Sequence, residues 1–190
     1  VTRSVGQSGD FTNRLQEAGA TVIEMPAIAI GPPSNSEALD NAIASIETFD
    51  WLILTSTNGV DYFFERLFAQ AKDARSLANL KIAVVGKKTA NSLKLHNLQP
   101  DFIPPNFVAD SLVEHFPTSL QGKKVLFPRV ETGGREVLVQ QLSAKGAEVV
   151  EVAAYESRCP EAIAPAAKQA LSEQTVDIIT FASSKTVRNF

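Results

Sequence analysis

The stretch WLILTSTNGV at residues 51–60 decides the fold class of this chain. Four apolar residues run without a break into a turn of hydroxyl-bearing residues, Asn and Gly. Beyond the turn, apolar residues recur at the spacing of one helical face: Val60, Phe63, Phe64, Leu67 and Phe68. A short strand that is apolar on both faces and leads straight into a helix is typical of parallel α/β sheets.

Similar short apolar runs recur along the chain: Ala20–Met25, Ile82–Val85, Val125–Phe127, Ala147–Val152 and Val176–Phe181, with Asp101–Ile103 as a weaker candidate. Segments with helical spacing lie between them, such as Arg135–Leu142. The opening Val1-Thr2-Arg3-Ser4 has the character of the end of a further strand. This alternation of strands and helices predicts an α/β fold with parallel sheets.

The sequence also matches itself after a shift of 127 residues. Residues 15–27 and 142–154 share six identities in thirteen positions, and residues 50–63 and 177–190 share four in fourteen. Unrelated strand–helix–strand units could share Gly-Ala and Val at their turns, but the constant offset favours an internal duplication.

Pro- and Ala-rich stretches occupy equivalent places in the two copies and predict linkers at 26–33 and 153–160. Residues 34–152 would then form one domain, and residues 1–30 with 160–190 a discontinuous second one. Two adjacent linkers predict a hinge with a cleft beside it. Because the second copy stops at Phe190, the equivalent of Phe63, we expect that the C-terminal part of one domain is missing and that the intact protein has about 250 residues.

The composition excludes several classes of protein. The chain has 190 residues, 44% of them hydrophobic and 21% charged, and a net charge of −3, which is typical of a globular protein. The slight acidity argues against nucleic-acid binding, and no apolar run is long enough for a membrane span. The lone Cys159 excludes a disulfide framework and favours a reducing compartment.

The sequence lacks the glycine-rich motifs of dinucleotide and P-loop nucleotide sites. No group of His, Cys and carboxylate residues has the spacing of a metal site, so we predict no metal. His96 and His115 fall within helical patterns and are expected at the surface. Glu131 follows Arg129 closely, which favours a local ion pair between them.

Hydroxyl- or glycine-rich turns follow five of the predicted strands: Thr2–Ser4, Thr55–Gly59, Gly86–Thr89, Pro128–Arg129 with Thr132–Arg135, and Ala182–Thr186. Such turns present free backbone N–H groups and the positive end of a helix, so they bind anions readily. Five of them predict a ligand with several anionic groups. Ordinary N-capping by Ser and Thr remains the alternative for each turn taken singly.

Tyr155 lies on the second predicted linker, where Ile28 occupies the equivalent position of the first copy. A phenol is a weak acid that can donate a hydrogen bond to a departing group. The residue pattern alone favours the alternative, a tyrosine that packs the linker onto a domain.

The motifs together resemble the uroporphyrinogen-III synthase family over the whole chain. The residues that carry the resemblance are Val1-Thr2-Arg3, Pro26-Ala27-Ile28, Phe49–Ile53 running into Thr55–Val60, Val84–Thr89, Ala109–Leu112, Tyr155-Glu156 and Ile179–Ser184. The segment Lys123–Arg135 is most similar to the bacterial or plastid branch.

The resemblance implies two flavodoxin-like, doubly wound parallel-sheet domains joined by a two-stranded linker. It implies a lyase that needs no cofactor and acts on hydroxymethylbilane, a linear tetrapyrrole with eight carboxylates. Such an enzyme removes water, closes the macrocycle and inverts ring D to give uroporphyrinogen III. It also implies a monomer in the bacterial cytoplasm or the plastid stroma, with hydroxymethylbilane synthase as a candidate upstream partner.

The resemblance assigns a catalytic role to Tyr155, which would assist departure of the substrate hydroxyl. The residues expected to bind substrate are Arg3, Ser56, Thr57, Asn58, Gly86, Lys87, Thr89, Arg129, Ser183 and Ser184. For Arg3 and Arg129 the alternative is that they stabilise the strand ends, and Asn58 and Lys87 are expected to act through their backbone amides more than their side chains. The competing interpretation is a non-enzymatic two-lobed protein that binds a polycarboxylate with the same turns.

Overall fold

A computed structural model describes residues 1–106, 109–133 and 136–190. Part of the predicted Thr132–Arg135 turn, namely Gly134 and Arg135, lies outside the described residues. The chain divides into two compact units: unit 1 comprises Val1–Gly31 and Ser157–Phe190, and unit 2 comprises Pro32–Glu156. None of the helices in the described ranges has the length and apolar character needed to cross a bilayer.

Strands and helices alternate over residues 29–94 and 124–172. In chain order the elements are α1 (Gly9–Glu17), β1 (Ala29–Gly31), α2 (Glu37–Ala44), a 3-10 helix (Ile46–Thr48), β2 (Trp51–Leu54), α3 (Thr57–Ala69), a second 3-10 helix (Ala74–Leu77), β3 (Lys81–Val84), α4 (Lys87–Lys94), α5 (Ala109–Glu114), β4 (Lys124–Val130), α6 (Glu136–Ala144), β5 (Glu148–Arg158), α7 (Pro165–Ser172) and α8 (Ser184–Asn189).

Unit 2 contains a parallel sheet with strand order β5-β4-β2-β3. Trp51 on β2 lies opposite Lys81 on β3 and Val125 on β4, so β2 is paired on both sides. The predicted strand at Asp101–Ile103 is reduced to a single bridge between Ala83 and Phe102. The expected α/β fold with parallel strands is confirmed for this unit.

Helices cover both faces of this sheet. Alternate strand residues, including Trp51 and Ile53, join α5 and α6 in one buried apolar cluster. The residues that alternate with them, Leu52 and Leu54, are also fully buried. They lie on the opposite face of the sheet, where α3 packs against β2 and β4. A strand enclosed on both faces must be continuously apolar, which is why the run at residues 51–54 carries no alternation.

Asp50 fixes the start of β2 within the sheet. Its backbone N–H donates to Lys124 O at 2.8 Å and its carbonyl accepts from Lys81 N at 3.0 Å. Its carboxylate accepts from Lys123 Nζ at 2.7 Å and from the Lys124 backbone N–H at 2.9 Å. The hydrogen bond from Lys123, followed by that from Lys124, lowers the pKa of Asp50. These bonds tie β2 to both of its neighbours.

Unit 1 contains α1, β1, α7 and α8, and here three strand predictions are wrong. Residues 1–4, 20–25 and 176–181 are not in strands. Only scattered backbone bonds are made there, such as Met25 N–H to Val1 O at 2.9 Å and a long one from Thr2 N–H to Thr180 O at 3.4 Å. Ile178 is 78% exposed instead of buried. Apolar β-branched residues favour a strand, but a strand forms only where a continuous ladder is available.

Two strands of unit 2 extend beyond their predicted ends. β4 continues through Pro128 and Arg129 to Val130, so the predicted turn at Pro128–Arg129 is wrong. Its pairing with β5, in which Pro128 lies opposite Val152 and Arg129 opposite Ala153, outweighs the break that proline suggests. β5 continues past Val152 to Arg158 and therefore carries Tyr155 on a strand.

The 127-residue offset recurs in the geometry of the two units. α1 and α6 each have nine residues, and their first and last residues differ by 127. Gly19 and Gly146, also 127 apart, follow these helices with φ of 88° and 87°. α3 begins at Thr57 and α8 at Ser184, again 127 residues apart.

We predict that Gly146→Ala destabilises unit 2 much more than Gly122→Ala. Both glycines have φ in the left-handed region, so either alanine costs about 1 kcal/mol in backbone strain. A Cβ at Gly146 would also lie 2.7 Å from Cδ and 3.1 Å from Cα of Gln121, whereas a Cβ at Gly122 meets no described atom within 4 Å. The added crowding should raise the cost of Gly146→Ala to at least about 2 kcal/mol.

Urea unfolding followed by the fluorescence of Trp51 measures both variants. Trp51 is the only tryptophan of the chain and is buried in unit 2. Equal losses in the free energy of unfolding would contradict the predicted contact with Gln121.

Candidate functional site

The carboxyl ends of β2, β3 and β4 lie at one edge of the parallel sheet of unit 2, where ligands bind in folds of this type. At the end of β2, Ser56 adopts an extended conformation and becomes the N-cap of α3. Its Oγ accepts a hydrogen bond from Gly59 N at 3.0 Å. A Cβ at Gly59 would lie 3.2 Å from that same oxygen, so glycine keeps the capping hydroxyl uncrowded.

Ser56 also contacts Tyr155, although the two residues are 99 positions apart in the sequence. The Tyr155 Oη and Ser56 Oγ atoms are 3.1 Å apart, and either hydroxyl can be the donor. Tyr155 is 9% exposed, and its carbonyl accepts a hydrogen bond from Glu131 N at 2.8 Å, next to a shift in the β4–β5 register. Strand β5 thus brings the candidate catalytic phenol of Tyr155 to the Ser56 hydroxyl that caps α3.

The phenol of Tyr155 stacks on a residue that the sequence analysis missed. The ring of Tyr62 on α3 lies 6.0 Å from that of Tyr155, centroid to centroid, with 19° between the planes. Burial raises the pKa of Tyr62, and the negative charges of Glu65, Asp61 and Glu156 raise it further. Tyr62 lies beside the apolar stripe of α3, so periodicity does not reveal it. The signal that could have found it is the tyrosine count, because these two tyrosines are the only ones in the chain.

The turn between β3 and α4 is a second candidate anion site of unit 2. Gly86 is the N-cap of α4 with φ of 90°, and as a glycine it has no side chain with which to cap this helix. Lys87, the first helical residue, is exposed. Thr89 is 3% exposed and donates its hydroxyl to Val85 O at 3.1 Å. The buried threonine therefore braces the turn from within.

Arg129 is placed differently from the sequence expectation. Its Nη1 lies 2.7 Å from Glu151 Oε1, an ion pair whose angles fall outside hydrogen-bond geometry, and its Nε donates to Val130 O at 3.2 Å. The side chain is 9% exposed. The predicted ion pair with Glu131 is wrong, because Glu131 instead accepts from the backbone N–H of Ser34 at 3.0 Å and from the Ser34 hydroxyl. Arg129 lies on β4 and its partner Glu151 on β5, so the pairing of these two strands brings the two side chains together.

The remaining site residues divide between the two units. Thr57 and Asn58 lie half-buried in the first turn of α3 in unit 2. In unit 1, Arg3 is half-buried, while Ser183 and Ser184 are exposed at the start of α8. Ser183 is the N-cap and accepts from Thr186 N at 3.2 Å, while the Thr186 hydroxyl accepts from Ser183 N at 3.1 Å. Ser183 and Ser56 therefore cap their helices in the same way.

The ionisable residues suited to metal or redox chemistry do not form a site in the described ranges. No group of three or more His, Cys, Asp and Glu residues there could hold a metal ion. Cys159 is exposed. His96 stacks on Phe64 with 3.8 Å between centroids, and burial lowers its pKa. The contact packs His96, two residues beyond the end of α4, against Phe64 of α3.

Comparisons with known proteins agree on one family. The family model described as "Uroporphyrinogen-III synthase HemD" matches residues 9–190. The chain is 54% identical over its whole length to uroporphyrinogen-III synthase of Synechococcus elongatus, of which it covers 72%. It is 27% identical to that of Chlorobaculum parvum, again over its whole length and over 76% of the relative.

A solved structure has the same fold. The crystal structure of a mutant uroporphyrinogen III synthase from Thermus thermophilus matches the whole chain and 75% of its own, with a TM-score of 0.68 and 20% identity. This likeness concerns the α/β fold.

We predict that Ser56→Ala destabilises unit 2 by about 1 kcal/mol, because the N–H of Gly59 loses its capping oxygen. Ser36→Ala is the matched control, since Ser36 is the N-cap of α2 but makes no side-chain capping bond within the described part of the chain. The control should change the free energy of unfolding, measured with Trp51 fluorescence, by less than about 0.5 kcal/mol. Equal effects of the two substitutions would mean that the Ser56 cap adds no stability.

Proposed function

The chain belongs to the uroporphyrinogen-III synthase family, and we infer that it is a lyase that converts hydroxymethylbilane to uroporphyrinogen III. In this reaction the terminal hydroxyl leaves as water, the macrocycle closes and ring D is inverted. The observation that carries the proposal at the level of residues is the hydrogen bond between Tyr155 and Ser56, at the carboxyl edge of the sheet.

Tyr155 is the group that we assign to departure of the hydroxyl. Its Oη would donate a hydrogen bond to that oxygen as the carbon–oxygen bond breaks, and the proton would leave with it as water. The pyrrole nitrogen supplies the electron pair, and its N–H proton passes to the phenolate of Tyr155, which gives a neutral azafulvene and restores the phenol. Because this substrate ionises readily, a weak acid is sufficient. Ser56 can donate its own proton to Oη, which would leave the phenol proton available to the substrate.

The product isomer depends on orientation more than on acid strength. Hydroxymethylbilane also closes unaided to give the uninverted isomer, so the protein must hold the chain such that the other carbon of ring D is attacked. The spiro-pyrrolenine formed by that attack then rearranges. Orientation of reacting groups is a large source of rate acceleration in its own right. This requirement fits a site built from turns instead of strong acids, bases or bound cofactors.

The substrate carboxylates would bind to backbone N–H groups at the turns. In unit 2 we assign this role to the first turns of α3 and α4, with Thr57, Asn58, Gly86 and Lys87. Thr89 would keep the second of these turns rigid. In unit 1, Arg3, Ser183 and Ser184 are the proposed contacts. The ion pair with Glu151 favours a role for Arg129 in holding β4 to β5 over a role in binding substrate.

We extend the proposal to the architecture and setting of the protein. Units 1 and 2 would be two flavodoxin-like domains that arose by duplication, with residues 26–33 and 153–160 as linkers. The protein would act as a monomer, without a cofactor, in a bacterial cytoplasm or a plastid stroma. The enzyme that makes hydroxymethylbilane would supply its substrate. The comparisons give no support to the alternative of a non-enzymatic binding protein.

The first test is the product isomer. The full protein is incubated with hydroxymethylbilane, and the oxidised products are separated by chromatography. We expect the type III isomer to dominate, because the protein directs attack at the other carbon of ring D. Formation of the type I isomer alone, as in a control without protein, would disprove the proposed activity.

The second test is Tyr155→Phe, which removes the phenol hydroxyl and keeps the ring. We expect kcat to fall about 10- to 100-fold, because the leaving oxygen loses its hydrogen-bond donor. The free energy of unfolding, followed by Trp51 fluorescence, should differ from that of the wild type by no more than the effect of one hydrogen bond, about 1 kcal/mol. A variant with unchanged kcat would remove Tyr155 from the mechanism.

A further inference from the structure

Tyr62 lies against the ring of the proposed catalytic residue in a geometry that differs from most other aromatic contacts of unit 2. Trp51–Phe116, Phe63–Phe64 and Phe102–Phe116 meet edge to face, with 65°, 87° and 62° between their planes. The Tyr62 and Tyr155 rings are inclined by 19°. A nearly parallel neighbour gives the phenol a flat support.

The support and the hydrogen-bond partner belong to one rigid element. Ser56 is the N-cap of α3 and Tyr62 lies six residues further along the chain. α3 is held against the sheet by Phe63 and Leu67, which are both fully buried. The positions of the Ser56 hydroxyl and the Tyr62 ring are therefore set together by the packing of a single helix.

The two contacts restrain different motions of the phenol. The backbone of Tyr155 is fixed by the strand pairing of β5 and by the bond from Glu131 N. Contact with Ser56 Oγ restrains where the hydroxyl lies but allows the ring plane to turn about the axis through Oη. Stacking on Tyr62 restrains that plane. Both are needed to direct the second hydrogen-bonding direction of Oη, which is the one left for a substrate.

We propose that Tyr62 is a positioning residue for Tyr155, holding the phenol plane so that its free hydrogen-bonding direction stays aimed at the substrate. This inference rests on the proposed function, in which Tyr155 assists departure of the hydroxyl. Tyr62 acts through its ring face. In keeping with this, burial and the nearby carboxylates of Glu65 and Asp61 raise its pKa, which keeps the ring uncharged.

Three variants test the proposal by steady-state kinetics on the full protein with hydroxymethylbilane. Tyr62→Phe keeps the stacked ring and should retain kcat within about twofold. Tyr62→Leu removes the ring and should lower kcat about fivefold with little change in KM, because orientation of the phenol matters in the reaction step. Phe68→Leu is the matched control, since Phe68 is 50% exposed near the other end of α3, and it should leave both constants unchanged.

A spectroscopic readout follows the phenol itself. In either Tyr62 variant Tyr155 is the only tyrosine left among these 190 residues, and the Tyr155→Phe variant identifies its ring signals in NMR of protein with labelled tyrosine. We expect the ring resonances of Tyr155 to stay shielded by the neighbouring ring in Tyr62→Phe and to lose that shielding in Tyr62→Leu. Trp51 fluorescence verifies folding, and Tyr62→Met replaces the leucine variant if that variant does not fold.

The outcomes separate this proposal from the proposed function. If the leucine variant loses the ring shielding but keeps kcat, or if the phenylalanine and leucine variants lose kcat equally, Tyr62 is not a positioning residue. If the wild type forms only the type I isomer, the proposed function fails and the catalytic part of this proposal fails with it. A Tyr155 ring that is equally shielded in both variants would overturn the stacking contact whatever the activity.

Discussion

The geometry of the candidate site depends on how β2 ends. This strand is paired on both sides and buried on both faces, so the packing fixes the position of its carboxyl end. It leaves at Ser56, whose hydroxyl caps α3 and at the same time contacts Tyr155. One side chain thus contacts the phenol of β5 while it links the end of a central strand to the start of a helix.

This arrangement suits a reaction whose difficulty is directional. A substrate that closes without help needs little acid strength from the protein, but it must be held in one orientation. Buried elements provide such precision better than mobile loops do. Tyr155 lies on a strand, Ser56 and Tyr62 belong to one helix, and Gly86 begins another, so each proposed contact of unit 2 is fixed by the same packed core.

Much of unit 2 could be predicted because its signals are local. The run at residues 51–54 and the apolar stripe of α3 gave both elements and the turn between them. Pairing between distant segments could not be predicted in the same way. Glu151 meets Arg129, and Tyr155 meets Ser56, because β5 lies beside β4, which no spacing in the sequence shows. In unit 1 the same local signals predicted strands at residues 20–25 and 176–181, where the backbone makes only scattered bonds.

The two turns that the 127-residue offset relates differ in the side chains that the proposed chemistry would use. Ser56 and Ser183 cap their helices alike, through an N–H three residues on. At that third position, however, unit 2 has Gly59 and unit 1 has Thr186, whose hydroxyl closes a capping box with the Ser183 backbone. The equivalent of Tyr155 is Ile28, which has no hydroxyl to offer. The phenol–serine contact is therefore confined to unit 2, where the tyrosine is present and where β2 and β5 form as paired strands.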